Sequence, residues 1–422
     1  MTEPDELETF IPISRFASIN TLIAEQDTPP AKQQLQDFFT ALGQWRHQEY
    51  YLNLLTLKES YLPFSPDRDT VKILTYTKTE SDALLKKLTT GIAHILQRAN
   101  YNHIDSKKLN DLLNSNSAHG LALSVDESAY DEILVYFRGS GTTTITKRDW
   151  TTRFKLKELE IPTFKRLFLL LKLKSEADRV KEIVNDDQIS EKKAIRIVRK
   201  NRKQLPKTDD GQHVYLKIFK DIPQDDVKMM FPNTNVRFKL FDKIKLIITA
   251  GGGTVAGVAG SVTKILAATA TTNPIALAGA VIGVVGVVLR QVMSFFNTRN
   301  GYMLTLSQRL YFHSLADNRG ALTLLSDRGE EEDVKEEMLL YCFLCRQSIS
   351  KTDVPIIQSK IERYISQTFN TDIRFDVFDA LERLQRDNLI IENNQGELSA
   401  VNPLNGQQLL EGLWLNQVRK KT

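Results

Sequence analysis

The chain has 422 residues, of which 26% are charged and 41% are hydrophobic, with a formal net charge of +4. This length predicts two or three domains, and the nearly balanced charge argues against a general polyanion-binding protein. Two cysteines are too few for a disulfide framework, and an acidic N-terminus without arginine before Arg15 is neither a secretory signal nor a transit peptide.

Residues 1–240 are predicted to form a cytoplasmic α+β domain. Apolar residues at helical spacing predict helices over Ala31–Ser60, Glu80–Ala99 and Ser106–Leu113. Strands are predicted at Leu121–Val125, Glu132–Arg138, Thr142–Lys147, Phe164–Leu173 and Val214–Phe219. Helices followed by a run of strands indicate an antiparallel sheet.

The glycines of Arg138-Gly-Ser-Gly-Thr142 lie between two of these predicted strands. They lack the flanking residues of a nucleophile elbow or a phosphate loop. We therefore predict a hairpin turn at this position.

Basic residues are concentrated between Lys147 and Lys207, with 19 Lys and Arg against 9 Asp and Glu. Within this region, Ser190 is a plausible cap for a basic helix. Such a helix is either a solvated surface or a contact for anionic lipid headgroups through Lys192, Lys193, Arg196, Arg199 and Lys200. No aromatic residues are interleaved for base stacking, which argues against nucleic acid as a partner.

The stretch from Leu246 to Leu289 carries one charge, Lys264, in 44 residues. The turn sequence before Pro274 divides it into two apolar segments, each long enough to cross a bilayer as a helix. We predict a two-span transmembrane hairpin over residues 241–300, and the alternative is a helical hairpin buried in a protein core.

Basic residues flank the open end of this predicted hairpin, whereas Lys264 alone lies near its turn. The positive-inside rule then places both termini in the cytoplasm, and a bacterial inner membrane is the expected location. Small residues at four-residue spacing predict close helix contacts, within the chain or in a homo-oligomer, at Gly253, Gly257, Gly279 and Gly283.

Residues 301–422 are predicted to form a helical domain that ends in a winged-helix-like module. Helices at Val334–Arg346, Pro355–Phe369 and Phe375–Arg386 precede a strand, a turn and a second strand. From Asp327 to Thr422 there are 17 acidic and 12 basic residues, and phosphate contacts need a basic surface. We therefore predict packing or contact with other proteins, and no binding of nucleic acid.

No motif in the sequence identifies a catalytic, cofactor-binding or metal-binding residue. Cys342-Phe-Leu-Cys345 lies in an apolar helix without further ligands nearby, so we predict two buried free thiols. If the protein is instead a hydrolase, its site must assemble from distant residues, with Asp67, His94, Arg138, Asp221, Asp242 and His313 as the candidates.

Several phrases together resemble a family of unknown function, DUF3754, which includes mitochondrial transmembrane-protein-143-like proteins. They include Tyr61–Asp67, Phe137–Gly139, Tyr215–Pro223, Met230–Arg237 and Tyr311–Leu322. The resemblance implies a two-span membrane protein without an assigned activity, and it supplies no catalytic residue. The leading hypothesis is thus a membrane-anchored interaction or scaffold protein that binds proteins or lipid headgroups, and the alternative is a membrane-bound hydrolase.

Overall fold

The computed structural model describes residues 7–67, 74–114, 122–148, 156–202, 211–231, 235–237 and 311–419. Over these residues the fold is α+β with antiparallel sheets, as the sequence predicts. The helices are α1 Arg15–Ala24, α2 Pro29–Tyr61, α3 Lys78–Arg98, α4 Ser106–Asn114, α5 Glu176–Asp187, α6 Glu191–Asn201, α7 Asn318–Arg346, α8 Val354–Phe369, α9 Val377–Arg386 and α10 Pro403–Arg419. The strands are β1 Asn102–His103, β2 Ala122–Ser124, β3 Tyr130–Arg148, β4 Leu156–Leu173, β5 Val214–Pro223, β6 Asn235–Arg237, β7 Ser314–Asp317, β8 Ile349–Ser350, β9 Ile390–Glu392 and β10 Glu397–Ala400.

The main sheet has five strands in the order β1-β3-β4-β5-β7, and every neighbouring pair is antiparallel. Its strands are apolar at both odd and even positions because both faces are covered. Phe168, Leu170 and Leu216 pack in a core with residues of α2, α3 and α7. Leu167 and Leu169, which alternate with them, pack in a second core with residues of α4.

The predicted hairpin turn at Arg138–Thr142 is wrong, because β3 runs without interruption through these residues. Arg138 pairs with Arg166 and Ser140 pairs with Phe164, so the same two strands continue on both sides of Gly139. Gly139 has a φ of +70°, a backbone conformation that glycine adopts without steric cost. The glycine therefore distorts one long strand instead of reversing the chain.

Helices α2 and α7 each contribute to two apolar cores. The first half of α2 packs through residues such as Phe38 and Leu42 with the C-terminal helices, and its second half packs through Leu57 and Tyr61 against the main sheet. Helix α7 also contributes to both of these cores. Its first half packs through Leu322 against the main sheet, and residues 334–344 pack in the C-terminal core. The N-terminal helices and the C-terminal helices therefore share one core.

The C-terminal helices lie beside a three-stranded antiparallel sheet of order β8-β10-β9. Strand β8 follows α7, helices α8 and α9 come next, and β9 and β10 form a hairpin around Gly396, whose φ is +77°. Helix α9 buries Val377, Leu381 and Leu384 against this core.

Buried charges join α2, α7 and α9 where these helices meet. The Arg46 guanidinium is fully buried, with Nε 2.8 Å from Glu337 Oε1, Nη1 2.9 Å from Glu49 Oε2 and Nη2 2.5 Å from Asp387 Oδ2. Arg383 Nε donates to the same Glu337 carboxylate at 2.7 Å. Each buried charge therefore has opposite charges as direct partners, which is the condition for tolerating it in a core.

The electrostatics of this network explain why its basic members stay charged. Burial alone lowers the pKa of Arg46, but the carboxylates of Glu337, Asp387 and Glu49 outweigh burial and raise that pKa above its usual value. Burial raises the pKa of Glu337, and Arg46 and Arg383 only partly offset this effect. The arginines are thus the groups that favour the ionised form of Glu337 in the core.

The structure contradicts the predicted membrane topology. No helix in the described part of the chain is both long enough and apolar enough to cross a bilayer. Helices α2 and α7 have sufficient length, but charged side chains are spread along both of them. The predicted hairpin, residues 241–300, lies outside the described residues. The finding on the described helices contradicts the predicted two-pass membrane anchor. It also contradicts the predicted inner-membrane location and the cytoplasmic side predicted for both termini.

Replacing Arg46 with methionine is expected to destabilise the protein by about 3–5 kcal/mol, because Glu337, Glu49 and Asp387 then lose a shared buried partner. Urea unfolding followed by circular dichroism measures this change. Arg363→Met on the exposed surface of α8 is the matched control and should change the unfolding free energy by less than about 0.5 kcal/mol. Equal midpoints for the two variants would show that the network contributes no stability.

Candidate anion-binding site

One face of the main sheet changes from apolar to basic along the strands. Arg138 of β3 pairs with Arg166 of β4, and Arg166 pairs with Lys220 of β5. These three residues continue the alternation that places Phe168 and Ile218 in the core beneath α3 and α7. Like charges directly opposite on neighbouring strands repel each other, so this row of three basic residues destabilises the sheet unless a nearby negative charge compensates it.

The basic row is followed, in two of its strands, by a residue in the left-handed backbone conformation. Gly139 and Asp221, with φ values of +70° and +51°, follow directly after Arg138 and Lys220 in the two strands that flank β4. Beyond them, Phe164 and Ile222 pack in the core on the opposite side of the sheet. The basic row is therefore the last set of side chains on the face that α7 covers.

A cavity of about 330 Å³ lies at this edge. Its wall is formed by the extended segment before α1, by β3 and β4, and by the first half of α7. The charged residues that line it are Arg138, Lys165, Arg166, Arg328, Lys335, Glu331 and Glu332. Five cations against two carboxylates make the lining positive.

Arg138 is the most buried of these cations after Lys335, with 8% of its surface exposed. Its Nη1 donates to the Ala99 carbonyl oxygen at 3.1 Å, and its Nε has no acceptor in the part of the chain that the structure describes. The guanidinium lies between two rings, 4.5 Å from the Phe10 centroid and 5.1 Å from the Tyr101 centroid. No carboxylate of the described residues forms an ion pair with it.

The electrostatic environment of Arg138 is unfavourable for its own charge. Burial lowers the pKa of Arg138, and the guanidinium groups of Arg166 and Arg328 lower it further, whereas Tyr101 and Glu332 act in the opposite direction. An arginine stays protonated despite such a shift. A buried cation without a counter-ion is costly, and an anionic ligand in the cavity would relieve this cost.

The other cations of the lining fall into two groups. Lys335 Nζ is 2.8 Å from Glu332 Oε2, and Arg328 Nη1 is 2.8 Å from Glu331 Oε2, so both are neutralised within α7. Arg166, like Arg138, has a backbone carbonyl as its partner, with Nη1 2.7 Å from the Lys165 oxygen. Two adjacent guanidinium groups therefore remain without a carboxylate among the described residues.

The candidate hydrolase residues do not form one site. Asp67 accepts from the Asn318 side chain, and His94 is exposed on α3. His313 Nδ1 contacts the Lys220 carbonyl oxygen at 2.8 Å, which places it beside the basic row. Asp221 is exposed at the end of that row. Only Arg138 lines the cavity, and Asp242 lies outside the described residues.

Other predictions about individual residues have mixed outcomes. Cys342 is buried as predicted, and burial raises the pKa of its thiol, but Cys345 is exposed. No group of three His, Cys, Asp or Glu side chains in the described part of the chain is placed to hold a metal ion. The basic residues of α6 lie on its exposed side, whereas the four glycines of the predicted homo-oligomer contact, Gly253, Gly257, Gly279 and Gly283, lie outside the described residues.

The sequence did not single out Arg166, Lys220 or Phe10, although two of them followed a visible pattern. Each of the three central strands has apolar residues at alternate positions and a basic residue at one end of the same alternation, as in Leu134-Val-Tyr136-Phe-Arg138. The pairing of Arg138 with Arg166 was not foreseeable, because strand register is set by the sheet as a whole. The position of Phe10 depends on contacts far away in the sequence.

Comparison with known proteins finds a family match over part of the chain and adds no function. No solved structure matches the chain. Residues 130–320 match the family described as "Protein of unknown function (DUF3754)". The matched range includes β3, β4, β5 and the three basic residues of the row. The chain therefore carries a DUF3754 domain at residues 130–320, which confirms the family resemblance seen in the sequence.

Proposed function

We propose that the protein binds a small molecule carrying an oxyanion, such as a phosphate ester, in the cavity lined by Arg138 and Arg166. The observation that carries the proposal is the buried Arg138 guanidinium, which has no carboxylate partner among the described residues and borders a positively lined cavity. Arginine binds phosphate and carboxylate groups through its planar set of donors, and two neighbouring guanidinium groups suit an anion with several oxygens.

The net charge of the lining favours a divalent anion over a monovalent one. With Glu8 included, three carboxylates face five cations, which leaves an excess of two positive charges around the cavity. A phosphate monoester carries between 1.5 and 2 negative charges at about pH 7, and a single carboxylate carries only one. The cavity volume is at the lower end of the range typical of small-molecule sites.

The C-terminal module has a different role in this proposal. Its helix order and its β8-β10-β9 sheet support a winged-helix-like arrangement. The helix in the recognition position, α9, has Arg383 buried in ion pairs with Glu336 and Glu337. Because this arginine already has carboxylate partners, we propose that the module packs against α2 and α7 and does not bind nucleic acid.

Binding of inorganic phosphate and sulfate, measured by titration calorimetry, tests the proposed site. Arg138→Met and Arg166→Gln are each expected to weaken binding roughly 10- to 100-fold, because each removes a charge-assisted hydrogen bond. Arg196→Gln, on the exposed side of α6, is the matched control and should bind like the unmodified protein.

The pH dependence separates electrostatic binding from other effects. Inorganic phosphate loses its second proton at about pH 7, roughly one unit above a phosphate monoester, so its affinity should rise between about pH 6 and pH 8, whereas that of the fully ionised sulfate should stay nearly constant. Undetectable binding of both anions by the unmodified protein, or unchanged binding by both arginine variants, would refute the proposal.

Duplex DNA should not be retained by the full-length protein through its C-terminal module. We expect that any weak binding of DNA by the protein is unchanged in Arg363→Gln and in Arg374→Gln, which alter the exposed surface of this module. Fluorescence anisotropy with labelled duplex at low salt measures it. Micromolar binding that weakens steeply with salt and is reduced by these substitutions would show that the module contacts phosphates.

A further inference from the structure

The extended segment before α1 lies directly over the proposed anion site. Glu8 forms an ion pair with Lys165, and the Phe10 ring stacks over the Arg138 guanidinium at 4.5 Å. The Glu8 carbonyl oxygen also accepts from the Arg374 backbone N–H at 2.9 Å. A carboxylate and an aromatic ring from the chain itself therefore cover two of the five cations that line the cavity, Lys165 and Arg138.

The segment is held firmly on one side of these residues. Ile11 is buried in the C-terminal core, its N–H donates to Glu332, and its carbonyl oxygen accepts from Lys335 Nζ at 2.5 Å. Towards the N-terminus, Leu7 is exposed and Glu8 and Phe10 are only partly buried. Displacing residues 7–10 would therefore break the contacts of Glu8 with Lys165 and Arg374 but leave those of Ile11 with Glu332 and Lys335 in place.

The space that Glu8 occupies is provided by Gly139. A Cβ atom at Gly139 would lie 3.2 Å from Glu8 Oε1 and 2.9 Å from Lys165 Cδ. The glycine therefore leaves room for an oxygen-bearing group beside Lys165, at the residue that follows Arg138 in β3. Arg138 and Gly139 together create a place for an anion and, adjacent to it, a flat cationic surface for a ring.

We infer that Glu8 and Phe10 occupy the places of a ligand's own groups, and that the ligand is an aromatic ring bearing an oxyanion. This inference rests on the proposed anion-binding function. The ligand's anion would bind the N–H groups of Arg138 and Arg166 and replace the Glu8 carboxylate at Lys165. Its ring would replace Phe10 over the Arg138 guanidinium, a cation–π contact that arginine makes readily with rings. Because the segment competes for the same groups, the ligand's apparent affinity is its intrinsic affinity multiplied by the fraction of protein in the uncovered state.

Three probes distinguish the two subsites: inorganic phosphate, glycerol 3-phosphate and phenyl phosphate, each titrated against the full-length protein. In Glu8→Gln, all three should bind more tightly by a similar factor, because the competing carboxylate is gone. In Phe10→Ala, the affinity ratio of phenyl phosphate to glycerol 3-phosphate should rise roughly three- to tenfold, the size of one cation–π contact. Phe16→Ala, on the exposed surface of α1, is the control and should leave this ratio unchanged.

The outcomes separate this inference from the function on which it rests. If inorganic phosphate binds but the ratio is unchanged in Phe10→Ala, the aromatic subsite is refuted and the anion site stands. Weaker binding of all probes by Glu8→Gln would likewise refute competition by the segment. If inorganic phosphate binds neither the unmodified protein nor Glu8→Gln, both the anion site and the inference fail. Circular dichroism spectra matching the unmodified protein establish that each variant is folded.

Discussion

The contact between α2 and α7 links the C-terminal core to the core between the helices and the main sheet. These helices cross both apolar cores, and where they meet α9 the contact is made by Arg46, Arg383 and the carboxylates around them. Buried ion pairs add little net stability compared with apolar packing, but they strongly disfavour arrangements in which a charge is left alone. The network therefore acts mainly by fixing the relative position of the three helices.

Helix α7 also connects this network of buried charges to the proposed anion site. Glu336 and Glu337 of α7 face the buried arginines, and about one to three turns earlier α7 presents Arg328 and Glu332 to the cavity. The two clusters differ in one respect. The arginines of the network each have carboxylate partners, whereas Arg138 has none among the described residues. This contrast within one structure is the reason to assign ligand binding to the cavity and packing to the network.

Much of the fold could be predicted from local sequence patterns, and the site could not. The long helix over residues 29–61 follows from periodicity within two residues at each end. The strands near Phe164 and Val214 were also predicted, although β4 begins at Leu156, eight residues before the predicted start. The Arg138–Thr142 segment was misassigned because glycines allow both a turn and a distorted strand, and only pairing with β4 decides between them. The acidic run at Glu330–Glu337 has the composition of a solvated helix, yet much of it is buried by arginines distant in sequence. Arg138 was one of six candidates, but its partners Arg166 and Phe10 come from register and from long-range packing.

The central claim is that Arg138 and Arg166 bind an oxyanion, and a crystal structure of the protein with selenate tests it most directly. Selenate has the charge and shape of sulfate, and its selenium gives an anomalous signal that locates it without ambiguity. The account predicts an anomalous peak within hydrogen-bonding distance of the Arg166 guanidinium and of Lys165 or Arg138, with the Glu8 side chain displaced. Selenate bound only at surface positions, with the cavity empty and Glu8 still paired with Lys165, would contradict it.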